Sequence, residues 1–187
     1  MRSLDKTIGA LSEMLLALDS GPLAELRRME PGNAGTPAFW RVAVALDLPQ
    51  NELDVWMRIV KTLAILTPRG NRSSKVRLHD PAVALGTVFC DGGNPGWPPP
   101  GSNPAPKLSE PRLARFLASA PNQRGESLER IVRVLASSRD PGRGIRCTEI
   151  AHLLLDPDDE QPLKDVAYAY YARLDRATRH PNQEGTH

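Results

Sequence analysis

An all-α fold, built as two small helical bundles joined by a Pro/Gly-rich linker, is predicted by three features of the sequence. Apolar residues recur at steps of three and four along several stretches, the spacing of one helix face. Leu and Ala dominate, β-branched residues are scattered, and no strand-like alternation persists. The 18 prolines among 187 residues act as punctuation between those stretches.

The elements follow in order. Leu4, Ile8, Leu11, Leu15 and Leu18 form one stripe, ended by Asp19-Ser20-Gly21. Pro22 opens a short second helix, where a missing N–H costs nothing, with Leu23 and Leu26 on one side and Arg27 and Arg28 after them. Thr36-Pro37 reads as an N-cap followed by proline at the first helical position, and Phe39, Ala43 and Leu46 line the helix it starts. Leu53, Trp56, Val60, Leu63 and Ala64 mark a longer amphipathic helix that Pro68 stops. A basic loop follows, carrying Arg69, Arg72, Lys75 and Arg77 and no acid. Asp80-Pro81 repeats the cap-plus-proline start, leading to Leu85, Val88 and Phe89.

Six prolines and four glycines fall between Gly92 and Pro106, a composition that predicts an exposed, semi-extended linker. Beyond it, Ser109 is the expected N-cap of a helix with Leu113, Phe116 and Leu117 on one face. Leu128, Ile131, Val132 and Leu135 mark the next helix, and Ile150, Leu153 and Leu154 another. Leu163, Val166, Ala167, Tyr170 and Leu174 form the last stripe, and the polar tail from Thr178 is expected to fray. The expected division is an N-terminal helical domain over 1–91, a linker over 92–106, a C-terminal helical domain over 107–178 and a tail over 179–187.

Net charge is only +2, yet arginine outnumbers lysine 19 to 5. A guanidinium grips phosphate with two hydrogen bonds and stacks on bases, although GC-rich codon usage produces the same bias. The charge is uneven: residues 1–106 carry +1, 107–155 carry +4 and 156–187 carry −3. A basic block inside a near-neutral chain is the electrostatic footprint of a phosphate partner. Within it Arg130 should point away from the core and Arg133 lie nearer its edge, with Arg112 and Arg115 alike on the preceding helix. The plainer alternative is a solvated surface with local pairs such as Glu126–Arg130 and Glu129–Arg133.

No catalytic constellation is evident. Glu149 and His152 make a single Glu-x-x-His, whereas a bundle di-iron site needs two copies and two further glutamates. Cys147 and Cys90 lack a CxxC partner and are expected to be buried thiols in a reducing compartment. The run Gly92-Gly93-Asn94-Pro95-Gly96 lacks the GK[ST] of a phosphate loop, and Asp156, Asp158, Asp159 and Glu160 lack EF-hand spacing. No metal and no cofactor is expected. With no secretory signal and no apolar run near the ~20 residues that span a bilayer, the expected location is cytoplasmic.

Several segments resemble one family. Leu18-Asp19-Ser20-Gly21 through Leu26-Arg27-Arg28, then Pro37-Ala38-Phe39-Trp40-Arg41, resembles the opening of the CasB family, the small subunit of the type I-E CRISPR surveillance complex (Cascade). Leu85-Gly86 resembles the family's Leu-Gly motif after a basic loop, and Ser109-Glu110-Pro111-Arg112 its Ser/Asn-Glu-Arg-Arg helix start. Arg130 and Arg133 match its arginine-bearing helix, and Ala169-Tyr170-Tyr171 its aromatic ending. The likeness runs in order over nearly the whole chain. Pro111 stands where the first arginine of Glu-Arg-Arg is expected, and the Pro/Gly segment is longer than the family's, which puts some DNA contacts in doubt.

The resemblance implies an all-α, non-catalytic subunit, present with a second copy of itself beside the backbone and large subunits. It implies contact with crRNA and target DNA, bracing the guide–target duplex and the displaced strand. R-loop formation is nearly balanced in energy, so sequence-independent arginine contacts can tip it. The candidate nucleic-acid-binding residues are Arg27, Arg28, Arg112, Arg124, Arg130, Arg133 and Arg143, with the basic loop 69–77 a further candidate on charge. A stand-alone helical DNA-binding regulator is the alternative, although no helix pair with a clear recognition helix is evident.

Overall fold

The computed structural model describes residues 3–69, 76–100 and 102–179. They form α1 (Leu4–Ala17), α2 (Ser20–Arg28), α3 (Pro37–Leu46), a 3-10 turn (Gln50–Glu52), α4 (Leu53–Leu66), α5 (Leu85–Asp91), α6 (Glu110–Leu117), α7 (Pro121–Ser138), α8 (Cys147–Leu155) and α9 (Gln161–Arg179). The fold is all-α. Among the described residues extended pairing is limited to one isolated bridge, His79 with Ile145.

Local sequence explains most starts and stops. The Thr36 hydroxyl accepts from the Phe39 N–H at 3.3 Å, with Pro37 at the first helical position. Asp47 ends α3 at φ +53°, a left-handed conformation that Asp tolerates, and its N–H closes onto Val44 O. Gly92 ends α5 at φ +68°, its N–H donating to Val88 O at 2.8 Å.

Asp80-Pro81 does not start a helix. The Asp80 carboxylate accepts from the Ala82 N–H and closes a local turn. Helix α5 begins only at Leu85, whose N–H donates to Glu149 on α8 at 2.6 Å, so its cap comes from 64 residues away.

Helix α4 is the axis of the molecule. Every residue from Ile59 to Leu66 is buried, because α1 and α2 cover it from one half of the chain and α7 and α8 from the other. Helices α5 and α9 make the most extensive pair. They approach so closely that a Cβ at Gly86 would lie 2.0 Å from Val166 O and 2.9 Å from Tyr170 N, which only glycine permits. Tyr170 is fully buried there, its hydroxyl donating to Leu108 O at 2.6 Å.

The expected separation into two bundles is therefore corrected. Buried side chains from Ile8 to Ala177 form one continuous cluster. Backbone bonds across the halves reinforce it: Asp80 N–H to Ile145 O, Ile145 N–H to Leu78 O and Arg146 N–H to Val83 O, at 2.7–2.9 Å.

The 92–106 segment is exposed over most of its described length, as its composition suggested, but it is anchored at particular residues. Gly92, Gly93 and Trp97 are buried, and the Lys107 and Leu108 N–H groups donate to Cys90 O and Phe89 O. Asp91, with no exposed surface, pairs with Arg173 at 2.8 Å and Arg143 at 3.8 Å and accepts from the Gly93 N–H. Arg173 also donates to Trp97 O and lies 5.2 Å from the Trp97 ring, a cation–π contact. One buried carboxylate and one indole thus fold the segment back onto α9.

Candidate nucleic-acid interface

Helix α7 carries charge on two flanks because its apolar stripe, Leu128, Ile131, Val132 and Leu135, is turned onto α4 and α8. Arg130 is 75% exposed and Arg133 53%, the order expected from their offset to that stripe.

On one flank lies a groove of 740 Å³ between α2, the end of α4 and the end of α7. Among the described residues its lining includes Arg27, Arg28, Arg69, Arg133 and Arg139 and no carboxylate, over a partly apolar floor with Ile65, Leu66 and Ala136. Arg27 donates to Ala64 O at 2.9 Å and to Thr67 O at 2.5 Å, so its charge sits on the open carbonyls at the negative end of α4. Arg28 is exposed and its Nε donates to Ala24 O. Arg139 is 9% exposed and donates to Arg77 O, while its Nη1 has no partner.

Arg133 is held by Glu129 through two bonds of 2.6 and 3.1 Å. Glu129 also receives Lys61, at 3.2 Å and only 4% exposed, which in turn reaches Glu30 at 3.4 Å. Burial pushes the Glu129 carboxyl up, but the Arg133 hydrogen bonds and the Lys61 charge outweigh it and hold it below the usual range. Glu129 therefore keeps a cation even when Arg133 turns toward the groove.

On the other flank, α6 and α7 enclose a pocket of 220 Å³ lined by Leu108, Phe116, Ile131, Val134 and Ser127, with Arg112, Arg115 and Arg130 around it. Arg112 and Arg115 engage no carboxylate among the described residues. Arg130 meets Glu126 at 3.6 Å, both exposed, a pair worth about 0–1 kcal/mol and easily exchanged.

Two candidates are removed. Arg124 is 4% exposed, donates to Pro157 O through Nη1, and leaves Nε without a partner, so no phosphate reaches it. Its position explains this: it lies one helical step before Leu128 and shares the stripe that packs inward. Arg143 lines neither the groove nor the pocket, and its guanidinium lies 3.8 Å from the buried Asp91.

Of the remaining five, Arg27, Arg28 and Arg133 share the groove, and Arg112 and Arg130 share the pocket. Arg69, the first residue of the basic loop named as a further candidate, joins the groove, and Arg115 joins the pocket without having been put among the candidates; Arg139 lines the groove but is buried. In the basic loop, residues 70–75 lie outside the described residues.

The other reactive groups are structural. Glu149 is committed to the Leu85 N–H and to Arg146 at 3.0 Å. Burial pushes the Cys90 and Cys147 thiols up to about 12, far from thiolate chemistry. Among the described residues no group of three or more His, Cys, Asp or Glu converges to hold a metal. No described helix is long and apolar enough to cross a membrane. No family model, no curated protein and no solved structure matches the chain.

Proposed function

We propose that this chain is a non-catalytic subunit that holds nucleic-acid backbone along α7, as the small subunit of a crRNA-guided type I-E surveillance complex. The observation that carries the reading is the groove in which Arg28, Arg69 and Arg133 are exposed with no lining carboxylate among the described residues, and which gathers the ends of α2, α4 and α7 onto one surface. Guanidinium groups so placed attract successive phosphates without reading sequence. The second basic flank of α7 lets a strand contact both sides of one helix. The family motifs of the sequence supply the specific assembly: backbone and large subunits, guide RNA, target DNA and a second copy of the chain.

Fluorescence anisotropy with end-labelled single- and double-stranded DNA of mixed sequence tests the first part. Binding should be weak, indifferent to sequence and strongly salt-dependent, and R28A/R133A should weaken it with an unchanged helical circular dichroism spectrum. Sequence-selective binding to one duplex would favour a regulator instead. For the assembly, co-expression with type I-E backbone subunits and a guide RNA should give one co-eluting particle; recovery of the chain alone refutes it.

A further inference from the structure

We infer that the pocket between α6 and α7 seats one unstacked nucleobase of a bound single strand, while its arginines hold the flanking phosphates. The inference rests on the nucleic-acid reading above and adds a ligand subsite to it.

Three observations converge on a nucleobase. The floor is apolar, made by Leu108, Phe116, Ile131 and the half-exposed Val134, so it favours a flat, weakly hydrated group over a phosphate. At 220 Å³ the cavity falls below the roughly 300–1,000 Å³ of sites that enclose drug-sized ligands, which suits a single ring system. Among the described residues Arg112 and Arg115 approach the rim with no carboxylate partner, and Arg130 is held only by an exposed, exchangeable one. Guanidinium planes stack on bases and their N–H groups bond phosphate, so one rim serves both parts of a nucleotide.

A strand with its bases stacked offers no free face to this floor, and a duplex buries its bases. The pocket therefore prefers single strands. The Ser127 hydroxyl is the one neutral polar side chain in the lining, so the pocket tells bases apart weakly, and DNA and RNA arms of the test report whether the sugar matters.

The test compares the full-length protein's affinity for a mixed-sequence single-stranded DNA with that for a strand of equal length and phosphate count that is abasic at every position. An RNA strand is run beside them. The intact strand should bind about tenfold more tightly than the abasic one, in line with the stacking of one base. S127F, which fills the pocket without changing charge, should abolish that preference and leave abasic binding unaltered. V134Q, at the half-exposed wall, serves the same purpose if S127F fails to fold. R112A/R115A should weaken both strands alike.

Equal binding of intact and abasic strands by the wild-type protein overturns the inference while leaving the groove reading intact. So does a preference that survives both S127F and V134Q. Absence of binding to either strand overturns the nucleic-acid reading itself.

Discussion

Glu129 sits between a buried and an exposed cation, and this asymmetry gives a quantitative expectation. In E129Q the Lys61 ammonium, 4% exposed, keeps only Glu30 at 3.4 Å, whose side chain is 70% exposed. Stranding a buried charge costs about 3–5 kcal/mol, and the surviving surface partner reduces this to about 2–3 kcal/mol. In K61M the carboxylate keeps both Arg133 bonds, and methionine fills the lysine's space, so the cost should be about 1 kcal/mol or less. For a chain of this size 1 kcal/mol moves Tm by about 2–4 °C, so E129Q should lower Tm by about 4–12 °C and K61M by at most about 4 °C.

Thermal unfolding at pH 7, followed by far-ultraviolet circular dichroism, measures both. Because the Glu129 carboxyl is held below its ordinary 4.5, its contribution is present above that pH and is lost as pH falls through the lowered value. The gap between wild type and E129Q should accordingly close in acid. A K61M protein as unstable as E129Q, or more so, would show that the lysine serves the carboxylate rather than the reverse, and the reasoning would fail.

Other expectations follow from single contacts. G86A forces a methyl into the Val166 carbonyl, where neither backbone can retreat, and should cost about 3 kcal/mol or more, read as a lower urea midpoint. D91N leaves the partly buried Arg173 without its anion and should cost about 2–4 kcal/mol, with limited proteolysis cutting first between 92 and 108. His79 Nδ1 accepts from the Cys147 N–H at the start of α8, and burial lowers its pKa from 6.5, so the folded state favours the neutral ring. Its contribution is full above pH 6.5 and lost as pH falls below; H79Q should flatten the stability profile there, and an unchanged slope would exonerate the imidazole.

Periodicity made α1, α7 and α9 legible because each buries one continuous stripe, and Thr36-Pro37 was legible because its cap is local; on α4 it gave one face of a helix that is buried all round from Ile59 to Leu66. The start of α5 was not, since Glu149 supplies it from a helix much later in the chain. Composition gave the exposure of most of 92–106 but not its anchorage: Trp97 and the acid at 91 were visible, but their anchor, Arg173, lies 76 residues beyond the indole. Among the arginines, the burial of Arg124 was in principle readable from its register with Leu128. The convergence of Arg69 and Arg139 with Arg28 was not, because it depends on how α2, α4 and α7 end beside one another. Sequence separates inward from outward on one helix; it does not say which outward faces become neighbours.

The shared interior limits how this molecule can be dissected. An N-terminal fragment ending near residue 91 would bare the faces of α4 and α5 that α7, α8 and α9 cover, and the complementary fragment would bare the reverse. Neither would present a closed, water-compatible surface, so a truncation that abolishes an interaction would report denaturation and not the removal of a contact. Assigning roles to individual regions of this chain calls for substitutions that preserve its volume, or for a nick inside 92–106 that leaves both pieces in place.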